Sequence, residues 1–266
     1  MIHTRLVGRN FLAHVVCVAK PPEKRSGSSL TCGVLILRMT VINDFVSLLF
    51  PRCCLVSGEP LARGEQYIAT AAAQKLPRFN LGQPNERLQQ RIFTFAPVKH
   101  AYAYYKFAKH NRVQQILHHI KYKNCPEIGE LTGMWFAHAM QDAGFGSDFD
   151  AIVPVPLHRA RQRQRGYNQC DYLAKGIAQV LDIPWFPDVL IKQKATSSQT
   201  RKSRWERSEN VREVFVVKQP ELMANQRVLL VDDVVTTGAT LGTAARALLD
   251  GGCREVSVAA LAATKS

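Results

Sequence analysis

The chain has 266 residues, 46% apolar and 21% charged, which is the balance of an ordinary folded protein and enough length for one sizeable α/β domain with an appendage. That composition excludes collagen-like, coiled-coil and wholly disordered chains. The longest apolar stretch, Leu30 to Phe50, is interrupted by Arg38, Asn43 and Asp44, so no membrane span is expected. The net charge of +14 is uneven: +8 over residues 1–100, +6 over 101–215 and zero beyond. A field of that sign favours phosphorylated ligands, nucleic acid or an acidic surface.

Residues 1–40 show no clear period and contain a linker-like tract from Pro21 to Ser29, so a poorly ordered extension is expected there. Arg5 to Ala19 has a basic start and an apolar stretch, but His14 breaks it, and cytoplasm is the expected location. The seven cysteines are scattered and include no C-x-x-C pair, which argues against a secreted disulfide framework. A second irregular tract runs from Ser57 to Pro97. From 111 onward the pattern sharpens. Val113, Ile116, Leu117 and Ile120 recur at helical spacing, Ile128 to Met140 does so less cleanly, and helices are expected again near 169–181 and 240–250. Short apolar runs stand at 151–153, 228–231 and 256–261. Their alternation with helices predicts an α/β domain with a parallel sheet, whose ligands sit beyond the carboxyl ends of the strands.

The run at 228–231 leads directly into Asp232-Asp233-Val234-Val235-Thr236-Thr237-Gly238-Ala239-Thr240. Adjacent carboxylates at a strand end can accept hydrogen bonds from vicinal hydroxyls. Gly238 permits close backbone approach, and amides opening onto a helix N-terminus form a nest for a phosphate. Carboxylates for a diol and a phosphate cradle a few residues on describe a ribose 5-phosphate. The run resembles the 5-phosphoribosyl-1-diphosphate (PRPP) signature of type I phosphoribosyltransferases.

Earlier, Pro154-Val155-Pro156-Leu157-His158 precedes Arg159, Arg161, Arg163 and Arg165. On an extended loop these alternating arginines would all point one way, a comb able to clamp a diphosphate or track a nucleic-acid backbone. Together with Gly166-Tyr167-Asn168-Gln169, Thr196 to Thr200, Arg207 to Val211 and Phe215, these segments resemble the ComF/GntX family.

The resemblance implies a type I phosphoribosyltransferase-like fold over 98–266, a parallel sheet flanked by helices with a small hood and an irregular N-terminal region. Asp232 and Asp233 would be its catalytic carboxylates, Val234 to Thr240 would bind PRPP, and Pro154, Val155, Pro156, His158 and the four arginines would hold diphosphate. A polar cover would comprise Lys194, Thr196, Gln199, Arg201, Lys202, Arg207 and Asn210. Magnesium would arrive with PRPP. The function implied is transfer of the phosphoribosyl group to an unidentified acceptor. The alternative is a PRPP-binding accessory protein of competence that handles single-stranded DNA with recombination proteins, and a homodimer stays open. A PRPP-sensing regulator is a third option, but residues 1–100 show no helix-turn-helix pattern. Tyr102, Tyr104, Tyr105 and Phe107 fit either a base-stacking wall or the core.

Family members also carry an N-terminal zinc module, and here this chain departs. Leu49-Phe50-Pro51-Arg52-Cys53-Cys54 fits its opening, yet Ser57, Ala69 and Ala72 stand where the other ligands belong. Only Cys54 remains, so residues 41–97 are expected to be a zinc-module remnant without zinc. The same alignment suggests Met39 as the natural start.

Overall fold

The computed structural model describes residues 51–83, 85–194 and 213–264. The 1–40 extension, the start at Met39, and Thr196, Gln199, Arg201, Lys202, Arg207 and Asn210 of the expected cover lie outside them. The chain divides into two units, 1–76 and 77–266. The boundary therefore falls after Leu76 and not at 97, and the tract from 77 to 97 belongs with the sheet domain.

In the first unit, Cys53 bridges Pro60, and the Cys54 amide donates to the Glu59 carbonyl at 2.7 Å, closing a tight turn. Helix α1 (Thr70–Gln74) follows. Glu65 starts it: its two carboxylate oxygens accept from the amides of Thr70 at 2.7 Å and Ala62 at 2.9 Å.

The second unit opens with α2 (Glu86–Phe93), capped by the Asn85 side chain. Strand β1 (Ala101–Phe107), α3 (Arg112–Tyr122), α4 (Glu127–Asp142) and β2 (Ala151–Pro154) come next. Then follow α5 (Arg159–Arg165) and α6 (Gln169–Leu181). Strands β3 (Leu190–Lys194) and β4 (Glu213–Val217) pair as an antiparallel ribbon. The chain closes with α7 (Pro220–Met223), β5 (Arg227–Val235), α8 (Ala239–Asp250) and β6 (Glu255–Thr264).

The main sheet has the order β1-β6-β5-β2, and every pairing is parallel. Its central strands are buried on both faces, which is why they read as unbroken Val, Leu and Ala. Leu88, Ile92, Leu241, Ala244 and Leu248 from α2 and α8 pack on Val153, Leu230 and Val258, closing one core. Tyr102, Tyr104 and Tyr105 are core residues: Tyr104 stacks on Phe136 at 5.2 Å, and Tyr102 lies 4.9 Å from Phe145. They do not form a base-stacking wall. Among the described residues no helix is long and apolar enough to cross a membrane.

One segment differs from expectation. Residues 159–165 form helix α5, not an extended loop. Arg and Gln are good helix formers, the His158 ring accepts from the Ala160 amide as an N-cap, and Gly166 ends the helix at φ 85°. At about 100° per residue, Arg161 and Arg165 share one side while Arg159 and Arg163 share the opposite one. The comb is split into two pairs.

Candidate functional site

The carboxyl ends of β2 and β5 lie side by side, Pro154 paired with Val231, so the turn after each strand opens at the same edge. Val155 continues that register, its amide donating to the Val231 carbonyl at 2.8 Å. Beyond β2 the chain turns through Pro156 to His158 into α5. Beyond β5 it runs through Thr236 and Thr237 into α8.

The loop from Thr236 to Thr240 has the form expected of a phosphate cradle. Thr236, Thr237 and Thr240 are exposed, and α8 begins at a glycine that gives no side-chain cap, its Ala239 amide making only a long 3.4 Å bond to the Thr237 hydroxyl oxygen. Gly238 sits at φ 84°, and a Cβ there would meet the Arg91 carbonyl carbon at 3.2 Å and Ile92 Cγ1 at 3.1 Å. Both conformation and space therefore demand glycine. Arg91 of α2 braces the loop, donating to the Thr236 carbonyl at 2.9 Å and to Thr264. Sequence inspection missed Arg91, because it lies in a tract that reads as irregular.

Asp232 and Asp233 are brought together but are enclosed, at 8% and 7% exposed. The Asp233 amide and the Cys170 thiol donate to Asp232 Oδ1 at 2.8 and 3.4 Å. Lys121 donates to Asp233 Oδ1 at 2.9 Å, and Gln169 to Oδ2 at 2.5 Å. Gln169 in turn accepts from Arg165. Arg165, Gln169, Asp233 and Lys121 thus form one continuous relay. The motif around Gly166 gains a physical meaning here. The Tyr167 hydroxyl donates to the Ile120 carbonyl, holding α3 where Lys121 reaches the carboxylate, and the Asn168 amide donates to the Val155 carbonyl at 3.1 Å. Lys121 was the other unforeseen member, visible in sequence only as part of Lys121-Tyr122-Lys123.

The arginines of α5 are not gathered at the carboxylates. Arg161 and Arg165 line a cavity of about 580 Å³ that Lys121 also lines, while Arg159 and Arg163 are not among its walls. Lys194 closes β3; the remainder of the expected cover is outside the described residues.

Burial, then the neighbouring Asp233 carboxylate, pushes Asp232 up to about 7. Asp171, near the start of α6, is also raised to about 7 by burial, against the hydrogen bond from Asn168. Burial keeps the Cys170 thiol protonated by raising it well above its ordinary value. Asp150 moves the opposite way, lowered to about 2 by its hydrogen bonds with Arg227. Because Asp171 and Asp232 hold protons longer folded than unfolded, their contribution to stability is full below about pH 4 and is lost as pH rises to about 7. Asp150 contributes above about pH 4 and its share is lost toward pH 2. The thermal midpoint is expected to fall between pH 5 and 7, and Asp171→Asn to flatten part of that fall. A midpoint that rises over this window would contradict the assignment.

As a protein-held ion magnesium does not fit. Cys170, Asp232 and Asp233 converge with donor atoms within 4.8 Å, but a thiol is a poor magnesium ligand and the Lys121 ammonium paired with Asp233 would repel a second cation there.

The zinc module was tested in the same way. Cys54 is 2% exposed, and its sulfur accepts from the amides of Val56 and Ser57 at 3.4 Å and of Ala69 at 3.2 Å. Two of the positions aligned with missing ligands, Ser57 and Ala69, thus do lie against the one remaining sulfur, but Ser57 and the alanines offer no thiolate. The exposed Cys53 donates instead to the Pro51 carbonyl. Zinc does not fit this donor set. Burial alone would raise the Cys54 thiol, yet the Ser57 side chain and the three amides outweigh it and lower it. Cys54→Ala strands those amides. It is expected to cost about 2 kcal/mol locally and to speed proteolysis within 51–76, whereas a chelator leaves the wild-type rate unchanged. Chelator-accelerated cleavage would refute this account.

Comparison with known proteins supports the same region. Residues 168–266 match the phosphoribosyl transferase domain model. Competence protein F of Haemophilus influenzae is 40% identical over 115 residues, covering 42% of this chain and 50% of that protein. The DNA utilization protein YhgH of Escherichia coli is 31% identical over 153 residues, 56% of this chain and 66% of that one. Competence protein ComFC of Bacillus subtilis is 34% identical over 101 residues, 38% and 39% respectively. The chain thus spans about half the length of the first of these relatives. With the parallel sheet, the Asp-Asp strand end and the threonine loop, these matches establish that the chain belongs to the ComF family of phosphoribosyltransferase-like proteins.

Proposed function

We propose that the site binds PRPP and transfers its phosphoribosyl group to an acceptor, releasing diphosphate. The 5-phosphate rests on Thr236 to Thr240, and Asp232 and Asp233 accept from the ribose diol. The diphosphate faces the turn from Pro154 to His158, with magnesium carried on its own oxygens. The observation that supports this best is the direct passage of β5 carboxylates into an uncapped helix start through a left-handed Gly238. Both oxygens of Asp233 keep a second lone pair, so a hydroxyl can add to the Lys121 and Gln169 bonds.

In the transfer, the acceptor's lone pair forms the new bond to C1 as the C1–O bond breaks and its electron pair leaves with diphosphate. The acceptor's proton passes to water. C1 becomes oxocarbenium-like on the way, and the lysine and arginines nearby oppose the charge growing on the leaving group. Titration with PRPP and magnesium tests binding, and diphosphate release in a panel of bases and amines tests turnover. Binding without release in any acceptor would leave a PRPP receptor; no binding would defeat the proposal.

The names of the relatives favour a second reading, an accessory role in DNA uptake. The unburied α5 and the +14 charge suit a polyanionic strand. A slope of several units in log K for single-stranded DNA against log salt is the expected signature, and a flat dependence would exclude it.

A further inference from the structure

We propose that the cavity beside Lys121 binds a second ligand, a planar aromatic small molecule carrying a negative charge. This names the chemical class of the acceptor, and to that extent rests on the transfer reading above. The cavity, about 580 Å³, lies in the range of small-molecule sites and is much larger than a diphosphate needs. Its cations are Lys121, Arg161 and Arg165, and no carboxylate among the described residues lines it.

Charge alone would suit any anion, but the walls are specific. Tyr122 is 68% exposed at the end of α3, and the Arg165 guanidinium stands 5.3 Å from its ring centroid. The guanidinium lies over one face of this exposed ring, so an incoming ring can stack on the aromatic surface left open or on the guanidinium plane, with the counter-charge at hand. Tyr167 forms a second aromatic wall, and its hydroxyl is fixed by the Ile120 carbonyl. Asn124 and Gln164 add amides able to read the edge of a heteroaromatic ring. The amides could serve a diphosphate as well, but an aromatic face gives it nothing, whereas a charged base uses every wall. Lys121 belongs both to this cavity and to the Asp233 ion pair, so the second ligand would sit against the group that holds the pentose.

The test uses the full chain, without PRPP, and probes that lack a ribose 5-phosphate. Orotate and phenyl phosphate supply the charge as carboxylate and as phosphate, and uracil is the neutral control. Calorimetry is expected to show at least one of the two anions binding at least about tenfold more tightly than uracil, and the preferred anion identifies the charged group. Tyr122→Ala should weaken that anion about tenfold while leaving inorganic diphosphate unchanged. Arg161→Ala should weaken both. Asp233→Asn should lower PRPP affinity about a hundredfold but leave the aromatic anion bound, so failure at the pentose and failure at this cavity are distinguishable. Diphosphate binding as tightly as either aromatic anion, with no response to Tyr122→Ala, would overturn the proposal. So would anion affinities unchanged in a Lys121→Ala, Arg161→Ala, Tyr122→Ala triple variant, or binding confined to a thymidine oligonucleotide.

Discussion

Asp233→Asn is expected to lower PRPP affinity by about a hundredfold, or roughly 3 kcal/mol, with the far-ultraviolet circular dichroism of the fold unchanged. The magnitude follows from replacing an ionised acceptor by a neutral amide where two sugar hydroxyls must be received. It also follows from what the variant does to Lys121, whose ammonium loses its carboxylate partner at 2.9 Å and is no longer held in place. The fold should tolerate the change, because the new side chain keeps the volume and the Lys121 head is partly exposed. Calorimetry gives the answer directly. An affinity within about threefold of wild type would mean that the diol is held elsewhere.

The largest loss of stability is expected from Gly133→Ala or Gly176→Ala. Helices α4 and α6 cross at these two residues with their backbones touching. A Cβ on Gly176 would press into the Glu130 carbonyl, 2.9 Å from its carbon, and one on Gly133 into the Leu173 carbonyl. Neither obstacle is a side-chain tip that can rotate away, so the helices must separate. Separation would open the layer containing Phe136, Ile177 and Leu173, all buried. A cost of about 3 kcal/mol is expected for either variant, seen as a lowered urea midpoint. Because α6 also carries Gln169, PRPP affinity should fall with it. Unchanged midpoints would show that the crossing has slack.

Much of this architecture was legible beforehand. Buried parallel strands with both faces covered leave a continuous apolar run, so β2, β5 and β6 stood out, and the helical period marked α3, α4, α6 and α8. The carboxylates and threonine loop were readable because they follow one another in a single short run directly after an apolar strand. Strand β1 was not, since its alternation of alanine with tyrosine is equally that of an aromatic patch. Helix α5 was misjudged because four charges with Ala160 as the one apolar residue leave no amphipathic period, although its His158 and Gly166 caps were present in the sequence. Arg91 and Lys121 could not be placed, because each acts across more than a hundred residues of chain, on Thr236 and Asp233 respectively.

Asp233 is addressed from two directions at once, by Lys121 on one oxygen and by the Gln169 relay from Arg165 on the other. An occupant that draws either cation toward itself alters how strongly the carboxylate can receive a hydroxyl. Thermodynamic linkage makes that influence mutual: whatever factor one guest imposes on the affinity of the other, the other returns in full. Order of addition would then change the route by which the doubly occupied state is reached, but never its free energy.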